Sequence, residues 1–145
     1  MQTFKKLYVD FLIALKKEIS LYKHEENIWK LEGDISNTPG NLCLHLCGNL
    51  KHFYGAIIGT TGYVRERDLE FSRKNVSRDD LIKEVDETIA MIENVFDGMT
   101  PEDVGKIYPI SKFGENVTYG FIFSRLISHL SYHIGQINYH RRIID

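Results

Sequence analysis

The sequence predicts an all-α protein, a four-helix bundle of up-down-down-up topology forming a single domain over residues 1–145. Three observations carry that expectation. Four stretches of roughly 20 residues repeat apolar side chains at three- and four-residue spacing, the period of a helix with one buried stripe. Turn-forming runs separate them. The run between the second and third stretches, roughly 19 residues, is long enough at about 3.3 Å per residue to cross a bundle about 30 Å tall. One-striped helices bury best against one another, and a crossover of that length lets the second and third run parallel.

The first helix carries Phe4, Tyr8, Phe11, Leu12, Leu15, Ile19 and Tyr22 on one face and is expected to run to about Trp29. A turn from Gly33 to Pro39 follows, and Thr38-Pro39 marks the next start, because proline needs no amide partner in a first turn. The second helix is expected from Pro39 to about Ile58. The charge-rich run from Gly59 to Ser77 reads as a long connection. Ser77 with Asp80 resembles a capping box and opens a third helix, with Leu81, Ile82, Val85, Ile89, Ile92, Val95 and Phe96 on its stripe and Gly98 as its stop. Lys106 to Phe113 reads as a short extended segment packed on the bundle. The fourth helix is expected from about Asn116 or Thr118 to Ile143.

Composition narrows the function classes. Hydrophobic residues at 43% and charged residues at 26% are those of a soluble globular protein. A formal net charge of -2 with a pI near 6.3 gives no electrostatic reason to expect nucleic acid or an anionic membrane as partner. The first 17 residues interleave Lys and Asp with apolar positions, unlike a signal peptide, and no run reaches membrane-spanning length. The two cysteines, Cys43 and Cys47, lie one helical turn apart, where a disulfide would be strained, so a reduced cytoplasmic protein is expected.

His45, His129 and His133 are the candidate metal ligands. Four residues of helix turn the chain by about 400°, so His129 and His133 leave one face about one turn apart. His45 shares the inward stripe of the second helix with Leu42, Asn49 and Phe53. Cys43 and Cys47 point to its opposite side and cannot join it on one ion. A lone inward histidine is more often a hydrogen-bonded core residue than a ligand. Three at one level favour a metal, since an apolar core lacks partners for them. His52 and His140 read as residues that support a ligand from behind, line a pocket or face solvent, and His24 as a surface residue. Asn49 and Gln136, one turn and three residues from a candidate ligand, are candidates to orient a ligand or line a pocket. Arg65, Arg67 and Glu70 in the long connection are candidates to cap the site, although charge-rich loops are more often simply solvated.

The element Asn41-Leu-Cys-Leu-His45-Leu-Cys-Gly-Asn49-Leu-Lys-His52-Phe53 and the element His129-Leu-Ser-Tyr-His133-Ile-Gly135-Gln136-Ile137 resemble motifs of the DinB/YfiT-like superfamily. The run from Tyr63 to Phe71 resembles one uncharacterised branch of it, and the resemblance spans nearly the whole chain. It implies a bundle that is commonly a homodimer, with a divalent metal held by His45, His129 and His133: zinc or nickel foremost, iron or manganese as alternatives. It also implies a metal-dependent transferase joining a low-molecular-weight thiol to an electrophile, or a hydrolase of a small molecule. A metal held by three neutral nitrogens keeps its full positive charge and would acidify a water or thiol at an open position. The alternatives are a non-catalytic metal-binding protein and a dimeric interaction module using Ser124, Ser128, Ser131 and Gly135. A pocket opening onto the histidines favours the enzyme, and a closed site the structural role.

Overall fold

Helix starts follow the side chains that cap them in the computed structural model, which describes residues 1–145 and is all-α. The five helices are α1 (Gln2–Ser20), α2 (Pro39–Leu50), α3 (Arg67–Ser72), α4 (Arg78–Asp97) and α5 (Tyr119–Ile144). The Thr38 hydroxyl accepts from the Asn41 amide, that of Ser77 from Asp80, and that of Thr118 from Phe121, so three of the four long helices open on a β-hydroxyl cap. At Ser77 the Asp80 carboxylate turns to the serine hydroxyl rather than to the backbone. Gly98 ends α4 in a right-handed conformation, so its lack of a side chain is not what stops the helix.

Two expected boundaries move. The first helix stops at Ser20, nine residues before Trp29, and a 3-10 turn covers Glu25–Trp29. Tertiary partners take the backbone groups that a longer helix would use: Lys23 N–H donates to Asp145 Oδ2 at 2.6 Å, and Arg78 donates to the Tyr22 carbonyl at 2.7 Å. Beyond Leu50 the second helix widens into a π-helical turn over Lys51–Ala56, which turns Tyr54 into the core while Phe53 packs beside it. The long connection contains α3, and α3 lies on α2. All twelve residues of α2 are therefore buried, Cys43 and Cys47 completely, where an amphipathic helix was expected. The expected extended segment shrinks to an isolated antiparallel bridge, Ile107 with Thr118, followed by a 3-10 turn at Ser111–Phe113.

One apolar core of 26 buried residues joins α1, α2, α4 and α5. α1 packs on α4 and α5, and α2 packs on the same two. Lys5 pairs with Asp97 and Lys16 with Asp86 across α1 and α4, while Lys51 beyond α2 reaches Glu84 and Glu87 of α4. Tyr8 donates to the Phe123 carbonyl at 2.7 Å and Tyr54 donates to Tyr8 at 2.7 Å, which ties α1, α5 and the π-turn at one level. No helix is long and apolar enough to cross a membrane.

Candidate metal centre

α2 and α5 bring His45, His129 and His133 together. Their nearest ring nitrogens all lie within 4.8 Å of one another, so the three could hold a metal ion. His45 Nε2 already stands 3.2 Å from His129 Nε2, close to the roughly 3.0–3.4 Å that two imidazoles keep when both sit about 2.1 Å from one ion. The rings are packed with centroids 4.6–5.5 Å apart. His45 is buried, and the other two are half-buried.

Two of the three imidazoles are oriented from behind. Glu70 Oε2 accepts from His45 Nδ1–H at 2.8 Å, and Gln136 Oε1 accepts from His133 Nδ1–H at 2.7 Å. An amide or carboxylate oxygen can only accept, so in both rings the proton sits on Nδ1 and the Nε2 lone pair faces the cluster. That is the tautomer a metal needs, with the outer-shell partners that metal-bound histidines keep. His129 is held neutral differently. Burial, then the neighbouring His133 and His45 rings, then Arg65 and Arg125 lower its pKa from 6.5 to about 4. Burial also lowers that of His133.

Glu70 departs from the expectation of a solvated connection. It is 6% exposed, and its two oxygens receive Arg65 Nε at 2.6 Å and Nη2 at 2.8 Å in a bidentate pair. Burial alone would raise the Glu70 carboxyl, but the hydrogen bonds from Arg65 and His45 outweigh it and hold the group below its usual range. Gly48 makes room for this pair: a Cβ there would collide with the Glu70 carboxylate, with Cδ at only 3.0 Å. A glycine inside a helix costs about 1 kcal/mol relative to alanine, so Gly48 was a legible sign of close approach whose partner the sequence alone does not name.

The remaining expected residues scatter. Asn49 is 7% exposed, lines the cleft beside His45 and His129, and leaves its buried Oδ1 without a partner. His52 is half-buried, packs edge-on against Phe53, and is not part of that cleft wall. His140 lines a cleft with His133 and Gln136, but both its ring nitrogens are spent on the fold. Its Nε2–H donates to the Lys30 carbonyl at 3.0 Å, which leaves Nδ1 to accept from the Tyr22 hydroxyl at 2.9 Å. His24 is exposed, as expected.

The histidines open on two sides. One cleft of about 580 Å³ reaches His45 and His129, and another of about 540 Å³ reaches His133 and Gln136, with Tyr132 standing between them. Both volumes suit small molecules. Sequence reasoning did not bring Lys112, Phe113, Arg125 or Tyr132 to this place. Arg125 and Tyr132 had a signal, standing four residues before and three after His129 on neighbouring positions of one helix face.

Fold and cluster together define an all-α protein with three histidines able to hold a metal ion. The chain belongs to the family described as "Protein of unknown function (DUF1572)", whose model matches residues 4–145. Neither a curated protein nor a solved structure matches it.

Proposed function

We propose that this chain is a metal-dependent enzyme acting on a small molecule, with a divalent ion, zinc or nickel foremost, bound by His45, His129 and His133. The observation that carries this reading is the convergence of three ring nitrogens within 4.8 Å at the floor of open clefts. Three protein ligands leave a position for substrate, whereas a structural site closes with four. A bound divalent ion would supply Lewis acidity, making a thiol or water a nucleophile near neutral pH. The chain's own residues prepare for it. Glu70 and Gln136 fix two lone pairs inward, burial and neighbouring charge keep His129 unprotonated, and Tyr132 divides the approach. Two clefts meeting at one cluster suit a two-substrate reaction, so transfer from a low-molecular-weight thiol is preferred over hydrolysis.

The same reading places the chain among DinB/YfiT-like proteins as a single-domain, up-down-down-up four-helix bundle in the cytoplasm. The pairs Lys5–Asp97 and Lys16–Asp86 fit antiparallel α1 and α4, and the reach of Lys51 to Glu84 and Glu87 fits parallel α2 and α4. A homodimer through α5 is part of the proposal. Ser124, Ser128, Ser131 and Gly135 are all exposed there, with Phe121, Tyr132 and Tyr139 beside them.

Elemental analysis of protein purified without metal-chelate chromatography tests the foundation. Wild type is expected to carry, or to take up, about one divalent ion per chain, and His129→Ala none. A wild type that binds no metal overturns the reading. Metal-loaded protein is then assayed with thiol and electrophile pairs and with esters; metal binding without turnover would leave a non-catalytic metal protein.

A further inference from the structure

The cleft beside His45 and His129 has a charge character that the metal does not require. Its charged wall residues other than the histidines are Arg65, Arg67, Lys112 and Arg125, and no carboxylate lines it. In a chain with 18 Lys and Arg against 20 Asp and Glu, such a wall is not a sample of the general surface. Arg65 is neutralised by Glu70, but Arg67, Lys112 and Arg125 enter no ion pair. These three come from separate segments, namely α3, the turn at Ser111–Phe113 and α5. Aromatic faces support two of them: Arg67 lies 5.2 Å from the Phe71 ring centre and Lys112 6.0 Å from that of Phe53. Unpaired cations around a concave, partly apolar wall focus positive potential into it. On the same wall, Asn49 is more than nine-tenths buried with an amide oxygen that meets no donor, so a ligand hydroxyl or N–H is what this atom lacks.

We propose that this cleft binds a small organic oxyanion, a carboxylate or phosphate ester, gripped by Arg67, Lys112 and Arg125, with Asn49 Oδ1 accepting from a hydroxyl or N–H elsewhere on the same molecule. The anionic end lies towards the cations and the reacting end towards His45 and His129. Guanidinium forks match carboxylate and phosphate oxygens in pairs, while the lysine adds a point charge. Phe53 and Phe113 give the carbon skeleton an apolar wall. Only the placement of the reacting end rests on the metal-enzyme reading; the anion grip stands on the cleft itself.

The test uses metal-free protein, treated with a chelator and dialysed, so that anions cannot be scored through an ion. Benzoate, phenyl phosphate and neutral benzamide are titrated while backbone and Asn49 side-chain amide resonances are followed by NMR. At least one anion is expected to bind tenfold or more tightly than benzamide, to shift backbone amides of Arg67, Lys112 and Arg125, and to weaken as salt rises; which anion leads separates carboxylate from phosphate. K112A/R125A is expected to lose at least fivefold in affinity, with R67A as a second, independent variant. H133A, whose ring lies outside this cleft, is expected to lose metal yet keep the anion, so failure of the metal reading is distinguishable from failure of this one. Equal binding of benzamide and both anions overturns the proposal. So does undiminished binding by both K112A/R125A and R67A, or anion binding that appears only after metal is restored.

Discussion

Two levels of the same helices are built on opposite principles. At the level of Phe123, Tyr8, Tyr54, Phe96 and Phe123 pack ring on ring, and the tyrosine hydroxyls are used internally, Tyr54 donating to Tyr8 and Tyr8 to the Phe123 carbonyl. Six to ten residues further along α5, roughly 9–15 Å, His129 and His133 meet His45 with ring nitrogens converging and the Asn49 oxygen unpartnered. Buried polar groups in a fold are normally satisfied, so a level that satisfies itself is scaffold, and a level that turns three ring nitrogens on one point and leaves the Asn49 acceptor unmatched awaits a ligand. The contrast separates the two tyrosine hydroxyls from the three imidazoles although both groups are polar atoms placed among apolar neighbours.

The largest effect expected from breaking this division is on the closed level. Phe96→Ala deletes a ring that is 1% exposed and packed on three others, and should lower unfolding free energy by about 3–5 kcal/mol. Chemical denaturation reads that loss, while metal stoichiometry of the folded fraction should stay at the wild-type value. A folded Phe96→Ala protein that no longer binds metal would show that the two levels are not independent.

Smaller in energy, but confined to the open level, is the effect of Glu70→Gln. Glutamine can still accept from His45 Nδ1–H but loses the charge that pairs with Arg65, so metal affinity should fall about 10–100-fold with less loss of stability than at Phe96. Gly48→Val should push the same carboxylate away and reproduce the defect in competition titrations with a chromophoric chelator. Unchanged affinity in both variants would remove Glu70 from the metal-positioning role.

Much of the open level was legible beforehand because helical periodicity is a local property: i, i+4 spacing alone puts His129 and His133 on one face, and the stripe of α2 turns His45 inward. Asn49 and Gln136 followed from the same arithmetic. Glu70, Lys112 and Phe113 did not, because they arrive from α3 and from the turn at Ser111–Phe113, whose positions are set by tertiary docking rather than by any period. The π-turn after Leu50 and the early end of α1 were illegible for a related reason. At both, the preferred local helix yields to partners distant in sequence, such as Asp145 for Lys23 and Tyr8 for Tyr54. Burial of α2 on every side likewise depends on α3 covering the face that carries Asn41, His45 and Gly48.

The smallest expected effect is the pH dependence of the metal-free protein, and it sharpens the comparison most because, of the two levels, the aromatic one carries no group that titrates near neutrality. His129 takes its proton near pH 6.5 when unfolded and only near about 4 when folded, since burial, the adjacent imidazoles and two arginines disfavour the cation. Between those values the unfolded chain binds more protons, so stability falls as pH drops from about 6.5 to about 4. His133 and His140, lowered mainly by burial, act in the same sense, and Glu70 adds a further loss as pH passes below its unfolded value of 4.5. Urea midpoints with chelator present should therefore decline from pH 7 to 5. His129→Ala should flatten part of that slope, whereas Tyr8→Phe, which strands the Tyr54 hydroxyl donor, should lower the midpoint at every pH by a similar amount. A slope unchanged by His129→Ala would mean that its imidazole is not kept neutral by this site, and the preorganisation argued for the open level would lose its electrostatic half.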